Sequence, residues 1–356
     1  MSYYAPEMRA IVAAAMASAA LAVAAPSVHA QAKNLTLTAV PGIKVGHYTL
    51  AERPTGCTAI LVEGGATAGV DVRGAAPASA ETDVLKPVNL VQQVYAISLS
   101  GGSAFGLDSR TGVMRYLDEK NIGFKAATSI NVPIVPAASL FDLNVGANPK
   151  IRPTADCGYR AAQAASTAPV AEGNVGAGTG ATVGKSAGAN RAMKGGIGSA
   201  ALQMPDGLIV AALVAINPAG DIIDPASGKV VAGVRTADGK SLADARSLLT
   251  SGALRQPARI GENTTLAVVA TNATLTKTQA TKVAEMAHDG FARAIYPSHT
   301  MGDGDAIFSI ATGTQPGSAD VSRIGALAAQ AVADAIVRAA RQATGIPGYP
   351  AARDLK

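Results

Sequence analysis

Apolar residues in this chain gather in short unbroken runs for most of its length and fall at helical spacing mainly towards the end. Residues 208–216 and 266–270 contain almost no polar position and are rich in β-branched side chains, so each reads as a strand buried on both faces. Shorter β-type runs at 35–45, 57–62 and 69–72 are separated by Pro41-Gly42, Pro54-Thr55-Gly56 and Gly64-Gly65, the spacing of paired strands joined by tight turns. A strand over 96–100 passes through glycines into a helical pattern carried by Leu107, Val113, Met114 and Leu117. Pro133 and Pro136 exclude a central strand position at those residues, which leaves 130–143 as an edge or a loop lining something. A helix is predicted over 156–168. Another opens near Leu275 and runs through Val283, Met286, Ala287, Phe291 and Ile295, followed by a strand at 306–311 and a closing helix at 322–343. Strands alternating with helices describe an α/β chain. Between them, 221–256 alternates polar and small residues with Gly228, Gly233 and Gly239, and reads as an exposed connection.

The first thirty residues follow a different pattern. Arg9 precedes an Ala-rich apolar run over 10–25, and Val28 and Ala30 provide the small residues of a secretory cleavage site, so 1–30 is expected to be an export signal. Pro26 ends the run short of the roughly 20 residues that span a bilayer, and no later segment is long and apolar enough to do so. The mature chain, 31–356, is then periplasmic or secreted. Its net charge of +5 is unchanged by the loss, because Glu7 and Arg9 leave together. Basic residues are scattered rather than interleaved with aromatics, so nucleic acid has no footprint here. Cys57 and Cys157 could bridge in an oxidising compartment, but a chain of this length does not need a staple, and the unbridged reading is preferred.

Several glycine-rich stretches invite a chemical reading and fail on counting. Phe105 stands where a nucleophile elbow around Ser103 needs glycine, and Thr179 stands where a phosphate loop ending at Gly184-Lys185-Ser186 needs one. His299, Asp303 and Asp305 are too few for a hard cation, so no metal and no cofactor is expected. Taken locally, Lys185 is solvated and Asn217, with Pro218 behind it, makes a turn. Thr264 and Thr265, at the mouth of the 266–270 run, are by themselves ordinary strand residues. Cutting the Asn263–Thr264 bond would change that, because Thr264 would gain an α-amine, of pKa about 8, beside its own hydroxyl. Nucleophile and base would then share one residue.

The stretches Ser100-Gly101-Gly102-Ser103-Ala104-Phe105-Gly106-Leu107, Pro133-Ile134-Val135-Pro136-Ala137-Ala138, Val175-Gly176-Ala177-Gly178-Thr179-Gly180, Lys194-Gly195-Gly196-Ile197-Gly198, Asn217-Pro218, Asn263-Thr264-Thr265 and Asp303-Gly304-Asp305 follow one another in a recognisable order. Together they resemble the self-cleaving aminopeptidases and amidases of the DmpA type, a family that includes the β-aminopeptidases and nylon-oligomer hydrolase. The resemblance spans nearly all of the mature chain. It implies a four-layer αββα sandwich of the DmpA and ornithine-acetyltransferase type, similar in architecture to N-terminal-nucleophile hydrolases. It also implies a cut between Asn263 and Thr264, giving an α chain of 31–263 and a β chain of 264–356.

By the same resemblance Thr264 is the nucleophile, Lys185 the nearby cation, Asn217 the oxyanion donor, and Asp303 with Asp305 the acidic pair of the nylon-hydrolase branch. Phe141 stands in the substrate pocket where some members carry tyrosine, so a hydroxyl contact is lost there. The implied activity is aminopeptidase action on short peptides or β- and D-amino-acid amides. Hydrolysis of 6-aminohexanoate oligomers is the second reading. A homo-oligomer of α/β heterodimers, free of the membrane once the signal is gone, is the expected assembly. An ornithine-acetyltransferase-like transferase is disfavoured by the export signal, since its acyl donors are cytosolic. A secreted binding protein that kept the fold and lost the chemistry would leave the chain uncut.

Overall fold

The apolar runs do form the interior strands, and their alternation shows why they are apolar throughout. A computed structural model describes residues 34–254 and 261–355. The export signal expected over 1–30 lies outside the described residues. In chain order the elements are β1 (Lys44–Thr49), β2 (Gly56–Val72), β3 (Ser79–Ala80), β4 (Val94–Ser100), α1 (Ser109–Asp118), β5 (Phe124–Ala127), β6 (Ile130–Val132), β7 (Ala137–Ser139) and α2 (Ala155–Gln163). There follow β8 (Thr182–Val183), β9 (Met193–Lys194), β10 (Gly196–Gln203), β11 (Ile209–Asn217), β12 (Asp221–Ile223), β13 (Val230–Ala232) and α3 (Ala245–Thr250). The last stretch holds β14 (Thr264–Thr271), α4 (Lys277–Ala294), β15 (Ile295–Tyr296), β16 (Ala306–Ala311) and α5 (Val321–Gln342).

The strands pair in the order β10-β11-β14-β16-β2-β4-β7-β3, with β1 also on β2. Strand β2 is the hinge of this arrangement. Its residues 57–61 pair with β1 and β4, its residues 67–72 pair with β16, and the register shifts between Leu61 and Ala66. One long strand therefore serves two sheets, where the sequence suggested separate strands broken at Gly64-Gly65. Bulges of this kind let a strand bend away from one partner and join another. Helices α1 and α2 pack on the first sheet, and α4 and α5 on the second, giving helix, sheet, sheet, helix.

Side chains on β11 and β14 alternate between two cores. Leu213, Ala215, Leu266, Val268 and Ala270 join the cluster that holds Ile97, Leu99 and Phe308, whereas Val214, Ile216, Ala267 and Val269 join the one that holds Phe291, Val332 and Ile336 from α4 and α5. Both faces are dry, so both parities must be apolar. Each fully buried Leu, Ile or Phe contributes roughly 1.5–3 kcal/mol to this packing. Close approach of α5 to the sheet depends on Gly198, where an added Cβ would lie 2.1 Å from the Ala335 carbonyl oxygen. Helix α4 begins at a capping box, Thr276 accepting from the Gln279 N–H and Gln279 answering to the Thr276 N–H at 2.9 Å.

Two expectations from the sequence are corrected here. Cys57 on β2 and Cys157 on α2 form a disulfide, because α2 lies across β1 and β2 and brings the two Cα atoms to 5.9 Å. The described part of 221–256 is also more ordered than a connection. Strands β12, β13 and β15 form a small sheet, and the buried Asp221 carboxylate accepts from the Val234 and Ala245 N–H groups at 2.7 Å each. Pro133 and Pro136 lie outside strand β7, which has only the two-residue β3 beyond it, in keeping with an edge position.

Candidate active site

The register of β11 against β14 places Asn217 directly opposite Thr264, each at the end of its strand. By the alternation just described, both side chains project between the two sheets, on the face of Leu213 and Leu266, while Thr265 projects towards the helices. A one-residue slip would exchange the two threonines. The Thr264 hydroxyl donates back to the carbonyl oxygen of Asn263, across the bond at which the cut was expected. The Thr265 hydroxyl is buried and finds no partner among the described residues.

Lys185 is brought to this point by the loop after β8, whose backbone is held by Lys185 N–H to Ala219 O at 2.8 Å. Its ammonium donates to the Asn217 carbonyl at 2.8 Å, to Asn217 Oδ1 at 2.9 Å and to the Glu262 carbonyl at 3.2 Å. The local reading of a solvated lysine is thus overturned, and burial pushes its pKa down to about 7, opposed chiefly by the charge of Asp303. Asn217 makes no turn of its own. Its Oδ1 accepts from the Thr182 N–H at 2.9 Å and its Nδ2 donates to the Phe141 carbonyl at 3.0 Å. Phe141 thus reaches the site through its backbone oxygen.

The acidic pair stands on the other side of Thr264. Asp303 accepts from the Ala219 N–H at 3.1 Å and from both the N–H, at 3.0 Å, and the hydroxyl of Thr300. Burial, with help from Asp305, raises its pKa. Asp305 accepts from the Thr265 N–H at 2.7 Å and from His299 at 3.1 Å (N–H) and 2.8 Å (Nδ1). The His299 ring stacks on Phe291 at 5.7 Å between centroids. Among the described residues no group of three His, Cys, Asp or Glu side chains is arranged to hold a metal ion.

All the residues singled out in the sequence therefore meet: Asn263, Thr264, Lys185, Asn217, Asp303, Asp305 and the carbonyl of Phe141. Sequence reasoning missed the groups that hold them. His299 was weighed only as a metal ligand, though its position within Ser298-His299-Thr300 and the Asp303-Gly304-Asp305 run was the available signal. Thr182 carried none. Nor did the pair Arg53–Asp142, fully buried at 2.7 Å, whose other oxygens and N–H groups are satisfied by Thr55, Gly102, Val145 and Ile151. It locks the segment that carries Phe141, and a buried pair so completely hydrogen-bonded is a rigid support.

Comparison with known proteins identifies the family of the chain. The profile of peptidase family S58 matches residues 36–353. The chain belongs to that family. An uncharacterized aminopeptidase of Mycobacterium bovis is 38% identical over 349 residues, covering 90% of this chain and 97% of its own. A 6-aminohexanoate-oligomer endohydrolase of Kocuria is 29% identical over 316 residues, covering 85% and 84%. Among solved structures, a Burkholderia β-aminopeptidase covers 88% of each chain at a TM-score of 0.63 and 24% identity. The L-aminopeptidase D-Ala-esterase/amidase of Ochrobactrum anthropi, a variant of the N-terminal-nucleophile hydrolase fold, covers 89% of each chain at 0.65 and 18%. This S58 chain thus has the α/β fold of those aminopeptidases, and its membership makes it a hydrolase of the peptidase and amidase class.

Proposed function

We propose that this S58 protein is exported, cuts itself between Asn263 and Thr264, and then hydrolyses amide bonds at the amino end of short peptides or β- and D-amino-acid amides, with Thr264 as nucleophile. The observation that carries the reading is the hydroxyl of Thr264 lying on the carbonyl of Asn263, beside a buried lysine and opposite a buried asparagine. Thr264 is 3% exposed in the uncut chain. Departure of the segment that ends at Asn263 would open the site and uncover the new α-amine together.

The α-amine takes the hydroxyl proton as Thr264 Oγ1 attacks the substrate carbonyl, and an acyl-enzyme forms. The leaving amine receives that proton back, and water releases the acid. A charged Lys185 nearby lowers the pKa of the α-amine and favours its basic form. Asn217 has one amide hydrogen on the Phe141 carbonyl and a second available for the substrate oxyanion, a donor of the kind worth 10²–10³ in rate. Asp303 and Asp305, buried beside Thr264, would hold the α-amine and favour substrates that present an ammonium group. Export to an oxidising compartment is consistent with the Cys57–Cys157 disulfide. A closed assembly of α/β heterodimers is the form expected by resemblance.

A second substrate class is 6-aminohexanoate oligomers. The carboxylates at both 303 and 305 favour it, since they match the acidic pair of the nylon-hydrolase branch. Electrophoresis and amino-terminal sequencing of the purified protein test the central reading: two chains are expected, the smaller beginning at Thr264. Fully active material consisting of one uncut chain would sink it. Turnover of β-alanyl and D-alanyl p-nitroanilides against 6-aminohexanoate oligomers then decides the substrate.

A further inference from the structure

The uncut chain presents a carbonyl that must itself become an oxyanion, and Asn217 does not serve it. One Asn217 amide hydrogen is on the Phe141 carbonyl at 3.0 Å and, among the described residues, no Asn217 bond reaches the oxygen of Asn263, which accepts from the backbone N–H of Gly304 at 2.9 Å. We propose that the Gly304 N–H is the oxyanion donor for self-cleavage, separate from the donor used on substrates. This rests on the reading of Thr264 as nucleophile.

The step balances within the chain. A lone pair of Thr264 Oγ1 forms a bond to the Asn263 carbonyl carbon, and the C=O π pair moves onto the oxygen held by Gly304. The C–N bond then breaks with its electron pair on nitrogen. The proton lost by the hydroxyl ends on that nitrogen as part of the new α-amine, leaving an ester between Asn263 and Thr264. Water cleaves the ester to the Asn263 carboxylate and the Thr264 hydroxyl.

What makes Gly304 suited to this is the rigidity of its surroundings. Asp303 on one side is clamped by Ala219 and Thr300, and Asp305 on the other by Thr265 and His299. Their carbonyls are strapped as well, Ala76 N–H to Asp303 O at 2.9 Å and Arg73 N–H to Asp305 O at 3.1 Å. A parallel bridge joins Asn263 to Asp303, which brings the next amide onto the scissile oxygen. A donor fixed before reaction incurs no reorganisation as charge develops. Glycine is required because a Cβ at 304 would lie 2.5 Å from the Ala76 carbonyl oxygen and 2.9 Å from Thr264 Oγ1.

The test replaces the Gly304 amide by an ester, with glycolic acid at that position in the full chain, and follows band splitting after refolding. Self-cleavage should slow by about 10²–10³-fold. The same exchange at Gly302, whose N–H goes to Thr300 Oγ1 at 3.3 Å, should change it by less than about threefold. Near-parental cleavage by a folded Gly304 ester overturns the proposal while leaving Thr264 as nucleophile. A parent that is never cut before Thr264 overturns both. A second measurement needs no ester: in uncut Thr264→Ala protein the Gly304 amide should exchange with solvent at least about tenfold more slowly than the unstructured rate, and an unprotected amide there equally refutes the assignment.

Discussion

Lys185→Met in the uncut Thr264→Ala background separates what the buried ammonium does for chemistry from what it does to stability. The lysine has an ordinary value of 10.5 when unfolded and about 7 in place, because burial disfavours its charge. Between those values the unfolded chain binds more protons than the folded one, so stability rises with pH across that window. At pH 7 burying this group costs about 4 kcal/mol relative to an amine neutral in both states, and at pH 9 about 2 kcal/mol, at 1.36 kcal/mol per unit. Lys194, buried on the carbonyls of Gly178, Ala181 and Gly195 and also depressed to about 7, behaves alike. Guanidinium unfolding with the disulfide intact should therefore show the parent gaining about 4 kcal/mol between pH 7 and 9, and the Met variant about 2. Equal gains in the two proteins would mean that Lys185 does not lose its proton near neutrality in the fold, and the depression of its pKa by burial would be refuted. In the Thr264-containing chain the same substitution should abolish turnover, read as loss of p-nitroaniline release.

Three further outcomes can be checked. Thr265→Val removes a buried hydroxyl that has no partner among the described residues, so amino-terminal sequencing should still find the cut before Thr264, with stability unchanged or raised by about 1 kcal/mol. Replacing Cys57 and Cys157 together by Ala opens a loop of sequence separation 100, and the denaturation midpoint should fall by an amount equivalent to roughly 4–5 kcal/mol. Asp221→Ala leaves the Val234 and Ala245 N–H groups buried without their acceptor, and should lower unfolding free energy by about 1–3 kcal/mol for each, with Asn recovering one of the two.

Much was legible along the chain because local pattern and local burial coincide. The runs at 208–216 and 266–270 are apolar at both parities, as is 306–311 apart from Ser309, whose hydroxyl donates to the Ala280 carbonyl, and only strands packed between a sheet and helices need that; β11, β14 and β16 are those strands. The helical spacing from Val283 onward, with Thr276 and Gln279 ahead of it, gave α4 in the same way. The residues suspected of chemistry were found through a set of short motifs in order, since the sequence contains each motif whole.

What the sequence could not decide were pairings between distant segments. Asn217 and Thr264 become neighbours only through strand register, and that register, by sending alternate side chains to opposite faces, puts Thr264 between the sheets and Thr265 against the helices. Lys185 is written as a polar residue in a glycine-rich loop, and its burial follows from where that loop is pinned on Ala219. Cys57 and Cys157 lie far apart in the chain and close in space because α2 crosses the sheet. Side-chain type and period travel with the chain itself, whereas distance, register and desolvation belong to contacts between its remote parts.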